Sequence, residues 1–191
     1  MPNSFKKNLN KINGLTIDEL VKIYSGKITN WNQINHTKRM DKVDSITIHP
    51  YSKQDNCSGT AEIFKSKIMK GIPFKGVDET KSETQDIIKE MNNENTEGGK
   101  GGIYYLTLTE VQASNAIVPI ASDGKAEFVS PGTRNAFGNP IITKTDTYDS
   151  KLVRDIFIVF KNNVIGERIA EMIKSKELQD ELEKLGYKKL N

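Results

Sequence analysis

The chain has 191 residues, with 28 basic and 25 acidic side chains and a formal net charge of +3, which is enough length for one core or two small lobes. Basic residues alternate with acids, so there is no nucleic-acid footprint, and apolar residues spread throughout argue against a disordered polymer. One cysteine, Cys57, excludes an intrachain disulfide; no window approaches the roughly 20 apolar residues of a membrane span, and Lys6 and Lys7 precede no apolar stretch of a signal peptide.

In chain order, Thr16 is the expected N-cap of a helix, because Glu19 completes a capping box and Leu20, Val21, Ile23 and Tyr24 supply apolar positions before Ser25-Gly26. Ile28, Trp31 and Ile34 imply a compact loop pinned by buried anchors, with Trp31 a core plug. Val43, Ile46 and Ile48 predict a short strand closed by His49 and Pro50. Ile63, Phe64, Ile68 and Met69 then predict a helix over Thr60 to Met69. After breaks at Gly71, Pro73 and Gly76, Ser82 or Glu83 is the expected cap of a helix that turns Ile87, Ile88 and Met91 inward. That helix is expected to die in the polar, glycine-rich run from Asn92 to Gly102, read as a hairpin tip. It is not a nucleotide phosphate loop, since no Gly-Lys-Ser or Gly-Lys-Thr closes it.

Ile103 to Leu106 and Ala116 to Ile120 read as strands, with a turn or helical piece from Thr109 to Ala113 between them. The stretch from Ser122 to Thr147 reads as an irregular connection. Val153 and Ile156 to Phe160 read as a strand covered on both faces. Two closing helices carry the stripes Ile165, Ile169, Met172, Ile173 and Leu178, Leu182, Leu185. Helices alternating with strands define an α/β architecture.

The chemistry concentrates in Asn56-Cys57-Ser58-Gly59-Thr60-Ala61-Glu62, between the strand and the helix. A Ser-Gly-Thr step there is either an ordinary N-cap or a small oxyanion site built from amides and two hydroxyls at the positive end of a helix dipole. Lys53 and Gln54 precede the turn and reach it as a cation and an amide donor. His36, His49 and Cys57 are too few soft ligands for a metal centre, so no metal or cofactor is expected. Cys57 with His49, even with Asp55 nearby to orient, follows an order of strand, histidine, turn and thiol that matches no catalytic arrangement, and Ser58 lacks the Gly-x-Ser-x-Gly elbow. Binding is therefore expected rather than catalysis.

The block from Leu15 to Trp31, with Ser25-Gly26-Lys27-Ile28-Thr29-Asn30-Trp31, resembles the phosphate-type solute-binding proteins of ABC uptake transporters. Ser58-Gly59-Thr60, Gly102-Ile103-Tyr104-Tyr105, Leu152-Val153-Arg154 and Leu185-Gly186-Tyr187 follow in the family's order. The resemblance implies a class II periplasmic-binding-protein fold truncated at its N-terminal lobe. Residues 1–49 would be a first-lobe remnant, 50–120 a second lobe bearing the anion site, and 121–191 a return segment. It implies Ser58, Gly59 and Thr60 as ligands for phosphate or a similar anion, with Gln54 and Lys53 where the family has an arginine. It also implies a transporter permease as partner and an extracytoplasmic location. The short front is expected to mean either a fragment of a longer receptor, or a short paralogue whose first lobe comes from a partner or that pairs as a homo-oligomer. The rival reading is an assembly module that keeps the scaffold, caps its own helix with these hydroxyls and holds no anion.

Overall fold

The computed structural model describes residues 13–34, 45–54, 58–97, 100–111, 118–121, 127, 129–134, 140–142, 150–153, 164–185, 187 and 189–190. Strand β1 (Leu15–Thr16) runs directly into α1 (Ile17–Tyr24) through the capping box that the sequence predicts: the Glu19 amide donates to Thr16 Oγ1 at 3.1 Å, and the Thr16 amide donates back to Glu19 Oε2 at 2.9 Å. The helix stops at Ser25, and Gly26 leaves it with φ of 71°. Its buried face, Ile17, Leu20, Ile23 and Tyr24, joins Trp31, Ile48, Phe64 and Met69 in the main core. Trp31 is the plug expected, and its indole N–H donates to the Gly101 carbonyl at 3.3 Å, which satisfies the one polar atom this burial strands.

Three parallel strands, β2 (Thr47–Lys53), β3 (Asp78–Lys81) and β4 (Lys100–Tyr104), form a sheet in the order β3-β2-β4. Helix α2 (Gly59–Ile63), continued by a π turn over Phe64–Met69, carries the chain from β2 to β3, and α3 (Thr84–Glu97) carries it from β3 to β4. These helical crossovers make the architecture α/β, as the alternation in the sequence implies.

Two expectations fail here. The central strand does not close at His49 and Pro50 but runs on to Lys53. On one edge of β2 the Ile48 amide donates to Thr29 O at 2.8 Å and the Gln54 amide to Lys81 O at 2.9 Å. Pro50 shares that edge by alternation and falls between these two partners, so its missing N–H removes no ladder bond. Likewise the run from Asn92 to Gly102 is no hairpin tip: α3 continues to Glu97 and β4 starts at Lys100. Gly102 serves packing, since a Cβ there would overlap Met91 Cγ of α3.

Strand β5 (Ile120–Ala121) pairs parallel with β1. The stretch read as irregular holds an antiparallel ladder of β6 (Gly132–Arg134) and β7 (Pro140–Ile142). Gly132 and Pro140 are the first residues of these strands, a position where proline is tolerated. Helices α4 (Val164–Lys174) and α5 (Lys176–Lys184) close the chain as predicted, with Ser175 capping α5. The strand expected over Ile156 to Phe160, as well as His36 and Cys57, lies outside the described residues.

Candidate functional site

Because α2 leaves β2 toward β3 while α3 crosses back to β4 on the far side, the connections diverge between β2 and β4. In open parallel sheets a crevice forms beyond the strand ends at such a divergence, and ligands bind there. Lys53 ends β2, half-buried; Gln54 follows, exposed, with its amide committed to the sheet. Ser58 then opens α2 from extended backbone, with φ of −153° and ψ of 116°. Its Oγ accepts the Ala61 amide at 3.3 Å and its carbonyl accepts the Glu62 amide at 3.1 Å. Among the described residues, the Gly59 and Thr60 amides and the Thr60 hydroxyl take no protein partner. Ser58 is thus a true N-cap, yet an acceptor role leaves its own proton free to donate. The fold brings Lys53, Gln54, Ser58, Gly59 and Thr60 to one end of the sheet; residues 55–57 between them lie outside the description.

Sequence reasoning missed a second group at the same end. Thr84, buried in the first turn of α3, donates from Oγ1 to Glu110 Oε1 at 2.8 Å. Thr107 donates to Glu110 Oε2 from its amide at 3.2 Å and its hydroxyl at 2.7 Å. Thr84 follows β3 and Glu110 follows β4, so their bond spans the end of the central strand β2. Burial acts to raise the Glu110 pKa, but hydrogen bonds from Thr107 and Thr84, together with the Lys53 charge, outweigh it and hold the carboxyl below its ordinary value.

Tyrosines floor this end of the sheet. Burial is the main cause that pushes Tyr104 to about 12, against an opposing hydrogen bond with Thr84. Burial likewise pushes Tyr105 to about 12 against its bond with Ser52, whose Oγ lies 2.5 Å from the phenol oxygen. The Tyr105 ring stacks on Phe64 at 4.0 Å and 3°, which ties the end of β4 to the helix that Ser58 starts. The signal for Glu110 was in the chain: Thr107-Leu108-Thr109-Glu110 repeats the capping-box spacing of Thr16 and Glu19. Among the described residues no His, Cys, Asp and Glu cluster suits a metal, and no helix is long and apolar enough to cross a membrane.

Comparison with known proteins accounts for this layout. The family profile described as the PBP superfamily domain matches residues 3–175, and the chain belongs to that superfamily. Its α/β architecture is thus that of a periplasmic-binding-protein-like domain. A solved structure similar to it is that of a protein from Clostridium perfringens, assigned as a phosphate ABC transporter substrate-binding protein and holding bound phosphate. The TM-score is 0.55 at 19% identity, over 94% of this chain and 64% of that one. The present chain thus spans just under two thirds of that relative's length. No curated protein matches the chain.

Proposed function

We propose that this protein binds phosphate or a similar small oxyanion at the start of α2, as a receptor component of an ABC-type uptake system outside the cytoplasm. The observation that carries this reading is that, among the described residues, the Gly59 and Thr60 amides and the Thr60 hydroxyl take no partner, at the sheet end where the strand order leads a crevice to be expected. Ser58 would add its hydroxyl proton, and Lys53 or Gln54 would stand in for the family's arginine, at lower affinity because neither offers a bidentate fork. The bound phosphate of the Clostridium perfringens structure supports this ligand class. Binding would then signal to a membrane permease.

Calorimetric titration with phosphate and with sulfate tests the reading. Saturable phosphate heat in the millimolar range or tighter, lost in Thr60→Val, is the expected result; retention of full heat in that variant moves the site elsewhere. The assembly-module alternative is favoured by one observation, the Ser58 hydroxyl capping its own helix, and absence of any anion heat would favour it.

A further inference from the structure

We propose that Glu110 is a built-in competitor for the oxyanion: its carboxylate occupies the hydroxyl donors of Thr84 and Thr107 at the mouth of the sheet, and must be displaced before an external anion can use them. The inference rests on the oxyanion reading and deepens it, by naming what limits affinity at that site. A carboxylate and a phosphate oxygen are interchangeable acceptors for threonine hydroxyls and backbone amides. Here both carboxylate oxygens are engaged, one by Thr84 and the other twice by Thr107.

The strand order gives this bond its position. It spans from the β3 side to the β4 side across the end of β2, the strand that delivers Lys53 and Gln54 toward Ser58. An ionised carboxylate here both fills the donors and spends part of the field of Lys53, whose charge it feels. An arriving anion meets a like charge in a half-buried setting, where the repulsion is screened less than in bulk water. A chain whose sheet mouth already holds its own acceptor gains less from an external ligand.

Glu110→Gln keeps the shape and an acceptor for Thr84 while it removes the charge. Titrated with inorganic phosphate, it is expected to bind roughly tenfold tighter than the unaltered chain, the scale of one like charge removed from several ångströms away. Glu183→Gln, the same charge change on exposed α5, should leave binding unaltered, and adding Thr84→Val to Glu110→Gln should cancel the gain. Unchanged or weaker binding in Glu110→Gln, with Thr60→Val still abolishing it, overturns the competitor and leaves the oxyanion reading standing. No phosphate binding by either the unaltered chain or Glu110→Gln removes both. Should Glu110→Gln fail to fold by circular dichroism, Glu110→Ala decides by the same readout: tighter phosphate binding supports the proposal, and unaltered or weaker binding overturns it.

Discussion

Helices α1 and α4 are written alike and end up in opposite surroundings. Each sets apolar residues at helical spacing, with an acid in the first turn and a lysine in the last. On α1 the apolar side chains Ile17, Leu20, Ile23 and Tyr24 are 0–7% exposed, whereas on α4 Ile165 is 71%, Met172 57% and Ile169 42% exposed. A periodic pattern therefore fixes that a helix forms and which face is apolar, but the partner for that face has to come from elsewhere in the chain or from outside it. For α1 the partners are the π turn after α2 and the central sheet, with Tyr24 donating its hydroxyl to Tyr51 O at 3.2 Å and its ring 4.8 Å from that of Phe64.

The largest expected effect separates these two faces. Tyr24→Ala should cost about 3–5 kcal/mol in denaturant unfolding, because a fully buried aromatic ring leaves a cavity and the Tyr51 carbonyl loses a donor. Ile169→Ala should stay within about 0.5 kcal/mol, as surface substitutions do. A cost for Ile169→Ala near that of Tyr24→Ala would mean that α4 is covered in solution, and a mass measurement would then show an oligomer.

A second, smaller effect probes why the lobe around α3 is so closely packed. Gly102→Ala should cost about 1–3 kcal/mol, because the new methyl meets Met91, itself buried between α3 and β4. Met91→Ala in the same chain should recover much of that cost, so the two changes are strongly non-additive. Additive costs would show that strain at Gly102 has another source. On α4 no such coupling is expected, since its apolar side chains face solvent.

The same contrast explains what could be seen in the sequence. Local devices were legible: the Thr16 and Glu19 capping box, the burial of Trp31, the Ser58 helix start and the inward turn of Ile87 and Ile88 all follow from nearest neighbours and spacing. Features that depend on distant partners were not. Pro50 reads as a strand end in the sequence because its tolerance rests on where Thr29 and Lys81 sit across the sheet. Gly102 reads as a loop residue in the sequence because what requires it, the side chain of Met91 on the facing helix, is set by packing rather than by neighbouring residues. At the candidate site, Ser58 is legible as a cap followed by glycine and Glu110 as the acid of a capping box with Thr107, whereas the bond from Thr84 is not, because it comes from another strand's crossover.

The smallest expected effect compares a carboxylate in each region. Both Glu110 and Asp180 have lowered pKa values, but by different physics. For Asp180 the first cause is the hydrogen bond from Lys189 on the exposed face of α5, whereas for Glu110 hydrogen bonds from Thr107 and Thr84 overcome burial. A depressed pKa means that the unfolded chain binds the proton more readily, so the stabilisation is fully present above the ordinary glutamate value of 4.5 and fades as pH falls through the lower folded value. Acid unfolding of Glu110→Gln should therefore be shallower than that of the unaltered chain below about pH 4.5, and its neutral-pH stability slightly lower. Adding 0.5 M salt should erase the corresponding difference for Asp180→Asn, because an exposed pair is screened, and should leave most of it for Glu110→Gln, whose partners are neutral hydroxyls and an amide. If salt erases both alike, the Glu110 shift comes from Lys53 alone, and the threonine bonds across the sheet mouth are too weak to hold the carboxylate against an entering anion.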